Sequence, residues 1–346
     1  MDIDDLVGIR EIAVWAEVSP SAVANWRTRY SDFPQPVAQF AAGPIFSKGA
    51  VRKWLRIRRP EMTRTIAFIN LKGGVSKTTT TVLTAQILAV EYRKKVLVID
   101  LDPQTNATVI LIGDSKWLEL NESGRTLAQL FRDAITGEGS SFDLTATLQR
   151  GVGNVRDIRG VDLLPSSLDL IDLQEQLYSM PTGRYRHRTP IDILYSAIRD
   201  EISHYDYVLI DCPPSLGLVT LNGLRFADSY VIPTVPDVLS TYGIPQIVQR
   251  VAEFANEIHE PIEPLGILLT KYQASSTVHQ TQKRILEAGE IPVFKTKIPQ
   301  GNSIAAGAEF RSVGTLRQKW GYDAPLKSYL KFVKELVNPV VIPVIT

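Results

Sequence analysis

Short strand-like runs alternate with amphipathic stretches through most of the chain. Runs at 65–70, 95–100, 161–164, 207–211, 230–233 and 265–270 are nearly all apolar, as strands buried on both faces are. Between and after them, stretches at 78–92, 168–178, 191–202, 244–258, 278–288 and 324–336 carry apolar residues at helical spacing. This rhythm predicts an α/β fold: a mostly parallel sheet covered by helices on both faces.

The first sixty residues follow another pattern. Residues 11–16 read as a short helix. Ser19 is placed to cap a second helix, with Pro20 at its first position. In that helix Val18, Val23 and Trp26 share a face, which leaves Ser21, Ala22, Asn25 and Arg29 outward. Phe33-Pro34-Gln35-Pro36 ends it, 40–46 reads as a hairpin, and Ser47 opens a last, basic helix over 48–58. A small polar face on a second helix suits a major groove. The segment resembles the small winged helix-turn-helix domains of the excisionase and MerR-like type. That resemblance implies DNA contacts through Ser21, Asn25, Arg27 and Arg29. Pro60 disfavours helix continuation, so the expected organisation is a DNA-binding domain at 1–59, a linker at 60–64 and a second domain at 65–346.

Composition narrows the class further. The 346 residues suit two domains. No apolar run reaches the roughly 18 residues of a membrane span, and the acidic Met1-Asp2-Ile3-Asp4-Asp5 does not read as a secretory signal. The single cysteine, Cys212, provides no disulfide framework, and the expected compartment is the cytoplasm. It also argues against a four-thiolate iron–sulfur cluster shared by two subunits. Net charge is +1 but uneven: residues 1–64 hold 10 basic and 7 acidic side chains, 65–264 hold 17 and 25, and 265–335 hold 11 and 5. Basic ends around an acidic middle favour a polyanionic partner.

The chemistry concentrates after the first of the strand-like runs. Lys72-Gly73-Gly74-Val75-Ser76-Lys77-Thr78-Thr79 joins a predicted strand to a predicted helix. Such a turn presents backbone N–H groups to phosphate, with a lysine for the outer phosphates and a hydroxyl for Mg²⁺. The common pattern G-x-x-x-x-G-K-[ST] fails, because Leu71 and Ser76 stand where its glycines belong. The pattern K-G-G-x-x-K-[ST] fits instead. A second motif, Asp100-Leu101-Asp102-Pro103-Gln104, ends the next strand, where parallel sheets gather ligands. A third, Asp211-Cys212-Pro213-Pro214, ends another. Together these resemble the ParA/MinD group of deviant phosphate-loop ATPases from about residue 65 to the end.

The resemblance implies a set of roles. ATP and Mg²⁺ would be the cofactors. Gly73, Gly74, Val75, Ser76, Lys77, Thr78 and Thr79 would bind nucleotide, with Thr270 and Pro299 framing the adenine. Thr78 would ligate Mg²⁺ and Asp211 would hold its shell through water. Lys72, Lys77 and Asp102 would be catalytic, Lys72 by reaching phosphates bound in a partner subunit. Asp102, Pro103, Gln104 and Asn106 would form one switch; Asp211, Cys212, Pro213 and Pro214 would form the other. Cys212 has no base partner in view and reads as inert. If Ser76 needs φ > 0, its Cβ costs about 1 kcal/mol or more.

Within that group the chain is closest in pattern to the ParA-like branch. The stretch 336–344 has two prolines and no basic face, unlike an amphipathic membrane helix. ParA-like members imply an ATP-dependent homodimer, nonspecific DNA binding, a ParB-like adaptor that stimulates slow hydrolysis, and a nucleoid-associated cytoplasmic location. Lys283, Arg284, Arg311, Arg317 and Lys319 are the candidate late DNA contacts, and Gly183-Arg184-Tyr185-Arg186-His187-Arg188 is a second basic stretch. The alternatives are an ATP-switched transcriptional regulator and a MinD-like positioning ATPase for a protein cargo.

Overall fold

A computed structural model describes residues 6–16, 18–30, 32–40, 43–58, 63–137, 140–180, 189–258 and 260–338. The basic stretch at 183–188, most of the expected linker and the residues after 338 lie outside the described residues.

The first unit is a small sheet with three helices. Strands β1 (Leu6–Gly8), β2 (Ala38–Phe40) and β3 (Gly43–Ser47) pair antiparallel in the order β1-β3-β2. The helices are Ile9–Trp15, Pro20–Arg29 and Lys48–Arg58. Ser19 caps the second as its sequence predicts, accepting a hydrogen bond from the Ala22 amide. Trp54 anchors the core, its ring centroid 4.8 Å from Phe33, 5.5 Å from Tyr30 and 5.6 Å from Trp26. Phe33 meets the indole edge-on, and Trp26 and Tyr30 are tilted against it, a dense arrangement for so short a segment.

The second unit is the predicted parallel sheet. Its strands are β4 (Arg64–Phe68), β5 (Val96–Asp100), β6 (Val161–Leu164), β7 (Tyr207–Asp211), β8 (Ser229–Thr234), β9 (Glu263–Tyr272) and β10 (Val293–Pro299). They pair parallel in the order β10-β9-β8-β4-β7-β5-β6. Side chains from alternate strand positions enter two separate cores, one on each face. Ile66, Phe68, Val96 and Val98 pack on one side, and Ala67, Leu97, Ile99 and Ile210 on the other. Strand β10 and helices Asn106–Ile112, Asp114–Glu122, Leu127–Thr136 and Leu218–Leu224 are further elements of the sheet and its layers, beyond those predicted from the sequence.

The body begins slightly before the expected boundary. Arg64 already belongs to β4, and the Thr63 hydroxyl donates to the carbonyl of Tyr205 at 2.6 Å. The two units meet around Glu260, between helix Ile244–Glu257 and β9. Its carboxylate takes Arg52 and Lys48 (3.6 Å) from the basic helix and Arg225 (3.5 Å) from the body. Burial pushes the Glu260 carboxyl up, but Arg52, Arg225 and Lys48 together hold it below its ordinary range. Arg52 also lies over the Trp15 ring, 4.9 Å from its centre.

Candidate nucleotide site

The site forms because β4, β5 and β7 end level with one another. Phe68 is paired with Asp211, and Asp211 with Asp100. Three loops therefore leave the sheet side by side at its carboxyl edge, the usual place for a ligand in an open parallel sheet. A cavity of about 650 Å³ lies above them. It is lined by Gly73, Gly74, Ser76, Lys77, Thr78 and Thr79 from the glycine loop, and by Asp102, Gln104, Asn106 and Pro214 from the other two. Lys271, Ile298, Pro299, Gln300 and Tyr329 also line it.

The loop has the shape of an anion cradle at a helix start. Helix Lys77–Glu91 begins immediately after it, so unpaired amides and the positive helix end face the cavity. Gly74 has φ 74°, which glycine tolerates without cost. Ser76 has φ 68° and ψ 31°. The sequence concern about this position is therefore realised: a side chain occupies a left-handed position, at about 1–2 kcal/mol. Asn70 braces the loop from below, donating to Pro233 O at 2.8 Å and accepting from the Lys72 amide at 2.9 Å.

Lys77 is buried, with Nζ donating to Lys72 O at 3.2 Å. Burial lowers its pKa, while Asp211 and Asp102 act to keep it charged. Lys72 points elsewhere. Its Nζ lies 3.0 Å from both oxygens of Asp237, which also caps the helix Val238–Tyr242 through the Ser240 amide. Asp237 is a partner that the sequence did not indicate, since nothing in a lone Asp after Pro236 marks it.

The carboxylates divide the work. Asp100 is fully buried and structural: it accepts from the Thr108 amide and hydroxyl and from the Asp102 amide. Burial, reinforced by Asp211, pushes its pKa up. Asp102 accepts from the Gln104 amide at 3.0 Å, and Thr105 turns the chain with a φ of 57°. Asp211 accepts from the Thr81 hydroxyl through Oδ1, while Oδ2 is buried without a partner. Burial pushes Asp211 up to about 7, Asp102 adds to this, and Thr78, Lys77 and Thr81 oppose it. An orphaned carboxylate oxygen beside a hydroxyl-bearing helix start fits a hydrated divalent cation. Among the described residues no group of three or more His, Cys, Asp or Glu could hold a metal. The donor set is thus lean, as for Mg²⁺ that keeps several waters and takes its remaining oxygens from phosphate.

Several expected residues sit differently. Val75 and Thr270 are buried behind the loop, and the Thr270 hydroxyl donates to Val75 O at 3.0 Å rather than lining the cavity. Pro299 does line it. Cys212 is fully buried and burial pushes its thiol up, in keeping with an inert role. Pro103 and Pro213 shape their turns outside the cavity lining. Among the expected DNA contacts, Ser21, Asn25, Arg27, Arg284, Arg311 and Arg317 are exposed, and half-buried Lys283 pairs with Glu287 at 3.0 Å. The side chain of Arg29 lies outside the described residues. Lys319 is a correction: it is only 3% exposed, and burial, with Arg311 nearby, lowers its pKa to about 8. Its ammonium reaches Glu309 O and the Trp320 ring, not an open surface.

Comparison with known proteins gives the class. A family model described as an AAA domain matches residues 63–263. The chain is 30% identical over 279 residues to the chromosome partitioning protein ParA of Myxococcus xanthus, covering 80% of this chain and 88% of that one. It is also 30% identical to the sporulation initiation inhibitor protein Soj of Bacillus subtilis, covering 69% of this chain and 85% of that one. The chain belongs to the AAA-domain family of phosphate-loop ATPases, among its ParA-like members. Among solved structures, cobyrinic acid a,c-diamide synthase of Mycobacterium smegmatis with bound ADP and magnesium is 28% identical, with a TM-score of 0.60 over 80% of this chain and 95% of that one. One fold thus serves a metabolic enzyme and partition proteins, so the fold alone does not set the function.

Proposed function

We propose that this protein is a partition ATPase: it binds ATP with Mg²⁺, hydrolyses it, and uses the cycle to position DNA. The carrying observation is the cavity that Lys77, Thr78 and Asp102 line, with Asp211 buried next to these three and Lys72 on the same loop. Lys77 and the loop amides hold the phosphates, and Thr78 and Asp211 hold the metal shell. Bound Mg²⁺ supplies charge neutralisation across the phosphate oxygens. Asp102 orients the attacking water. Lys72 exchanges Asp237 for phosphates in a second subunit, so nucleotide joins two copies and hydrolysis separates them.

The chromosome partitioning protein among the relatives supports partition; a ParB-like adaptor and self-association belong to the same proposal. Arg284, Arg311 and Arg317 offer exposed cations for nonspecific DNA. The test is binding to a random-sequence duplex at fixed salt, with ATP and Mg²⁺ set against ADP. Binding that needs ATP supports the switch. Equal binding in both states sinks it and assigns the DNA contact to the first unit.

That outcome would favour a second reading, an ATP-linked transcriptional regulator. The observation behind it is the second helix of the first unit, which exposes Ser21, Asn25 and Arg27 on one capped, regular element. It predicts sequence-specific binding that is lost when residues 1–62 are removed.

A further inference from the structure

Two side-chain-bearing residues adopt left-handed backbones at the edges of one hydrogen-bonded patch. Ser76 has φ 68° and Lys271, at the carboxyl end of β9, has φ 48°. Lys271 Nζ donates to Gly74 O at 2.7 Å, and the neighbouring Thr270 hydroxyl donates to Val75 O at 3.0 Å. Consecutive residues of one strand thus hold consecutive carbonyls of the glycine loop, immediately before Ser76. Thr270 is fully buried, whereas Lys271 is exposed and lines the cavity rim.

We propose that Lys271 is a positioning residue that clips the phosphate loop into its cradle shape and offsets the backbone strain at Ser76. A loop with a left-handed serine has a relaxed alternative, favoured by about a factor of ten if nothing else intervenes. The relaxed loop no longer points its amides at a common centre. Apparent nucleotide affinity falls by the fraction of molecules with the cradle formed. A cationic hydrogen bond to Gly74 O, two residues before the strained position, keeps that fraction high. Lys77 also bonds a loop carbonyl, but phosphate claims that ammonium; Lys271 pulls from the strand side and stays with the loop.

This inference rests on the reading of the cavity as a nucleotide site. The test is a double-mutant cycle of Lys271→Met and Ser76→Gly in the full-length protein, read by equilibrium binding of fluorescent ADP and by ATP hydrolysis. Lys271→Met should weaken ADP about tenfold and raise KM with kcat little changed. Ser76→Gly keeps the loop amide and removes the strained Cβ, so its own ADP affinity is the reference for the second background. In the glycine background, Lys271→Met should cost less than threefold, because no strain is left to offset. Lys271→Arg should retain near-parental affinity. An equal tenfold loss in both backgrounds would overturn the clip and make Lys271 a direct nucleotide contact. No loss in the parent background would overturn it as well. A parent protein that binds no ADP would instead refute the nucleotide site itself.

Discussion

The two units of this chain hold their shape by different means. The body buries a seven-stranded sheet between two large, mainly aliphatic cores, and its buried Asp100, Asp102 and Asp211 lie together at the edge that carries the cavity. The first unit has one small core that depends on a few aromatic rings, and it is moored to the body through charge at Glu260. Hydrophobic burial scales with area and is not screened by salt, whereas an ion cluster at a partly open seam weakens as salt rises. The body should therefore be robust and the first unit locally fragile and separable.

The largest expected effect tests that fragility. Trp54→Ala removes the ring that Trp26, Tyr30 and Phe33 share, at about 3–5 kcal/mol. The first unit should unfold, while ATP hydrolysis by the body persists; joint loss of both, seen by proteolysis and turnover, would make the chain one cooperative whole. Next in size, Lys72→Ala should lower turnover about 10²–10³-fold with ADP binding kept, while Lys77→Ala loses both. Normal hydrolysis by Lys72→Ala would contradict the role given to that lysine. Neither change should touch the first unit.

Lys319→Met probes the opposite case, a charge buried in the body. Burial lowers its pKa from the ordinary 10.5 to about 8, so the ammonium costs stability below pH 8, and that cost fades as pH rises towards 10.5. The variant should be about 1–2 kcal/mol more stable than the parent at pH 7, and the gap should close above pH 10 in thermal melts. A gap that widens with pH would reverse the assignment. The smallest effect, about 1 kcal/mol, is expected for Glu260→Gln at the seam. Cleavage between the units should become faster and lose its salt dependence. For the parent, Glu260 has a lowered pKa, so docking is complete above its unfolded value and is lost as pH falls through its folded one. Unchanged cleavage at every salt concentration would show that packing, not charge, carries the seam.

How much could be read in advance follows the same division. The strands that end at Asp100 and Asp211 are uniformly apolar and stop at charge, so both the elements and the site were legible. The glycine loop was legible because phosphate chemistry restricts which residue types can stand at each of its positions. Asp237 and Lys271 were not, since their partners, Lys72 and Gly74, are 165 and 197 positions away and only the β8-β4 and β9-β8 pairings bring them near. Lys319 misled for a related reason: a basic residue between Gln318 and Trp320 looks like surface, and only the Trp320 indole, bonded to Gln86 inside the core, reveals that its helix turns inward. Strand β10 begins with mixed polarity because it is an edge strand, Phe294 and Lys295 facing different surroundings.

The parallel strands also give the body two poles. Glu260 and Pro261 lie just before β9 begins, at the amino ends of the strands, whereas the nucleotide cavity opens beyond their carboxyl ends. A strand of five or six residues separates these poles by roughly 17–20 Å. The first unit is thus carried on the side of the body away from the nucleotide. Two copies meeting cavity to cavity would turn their first units outward at opposite extremities, as the weights sit on a barbell, leaving both free to grip separate stretches of a single long polymer.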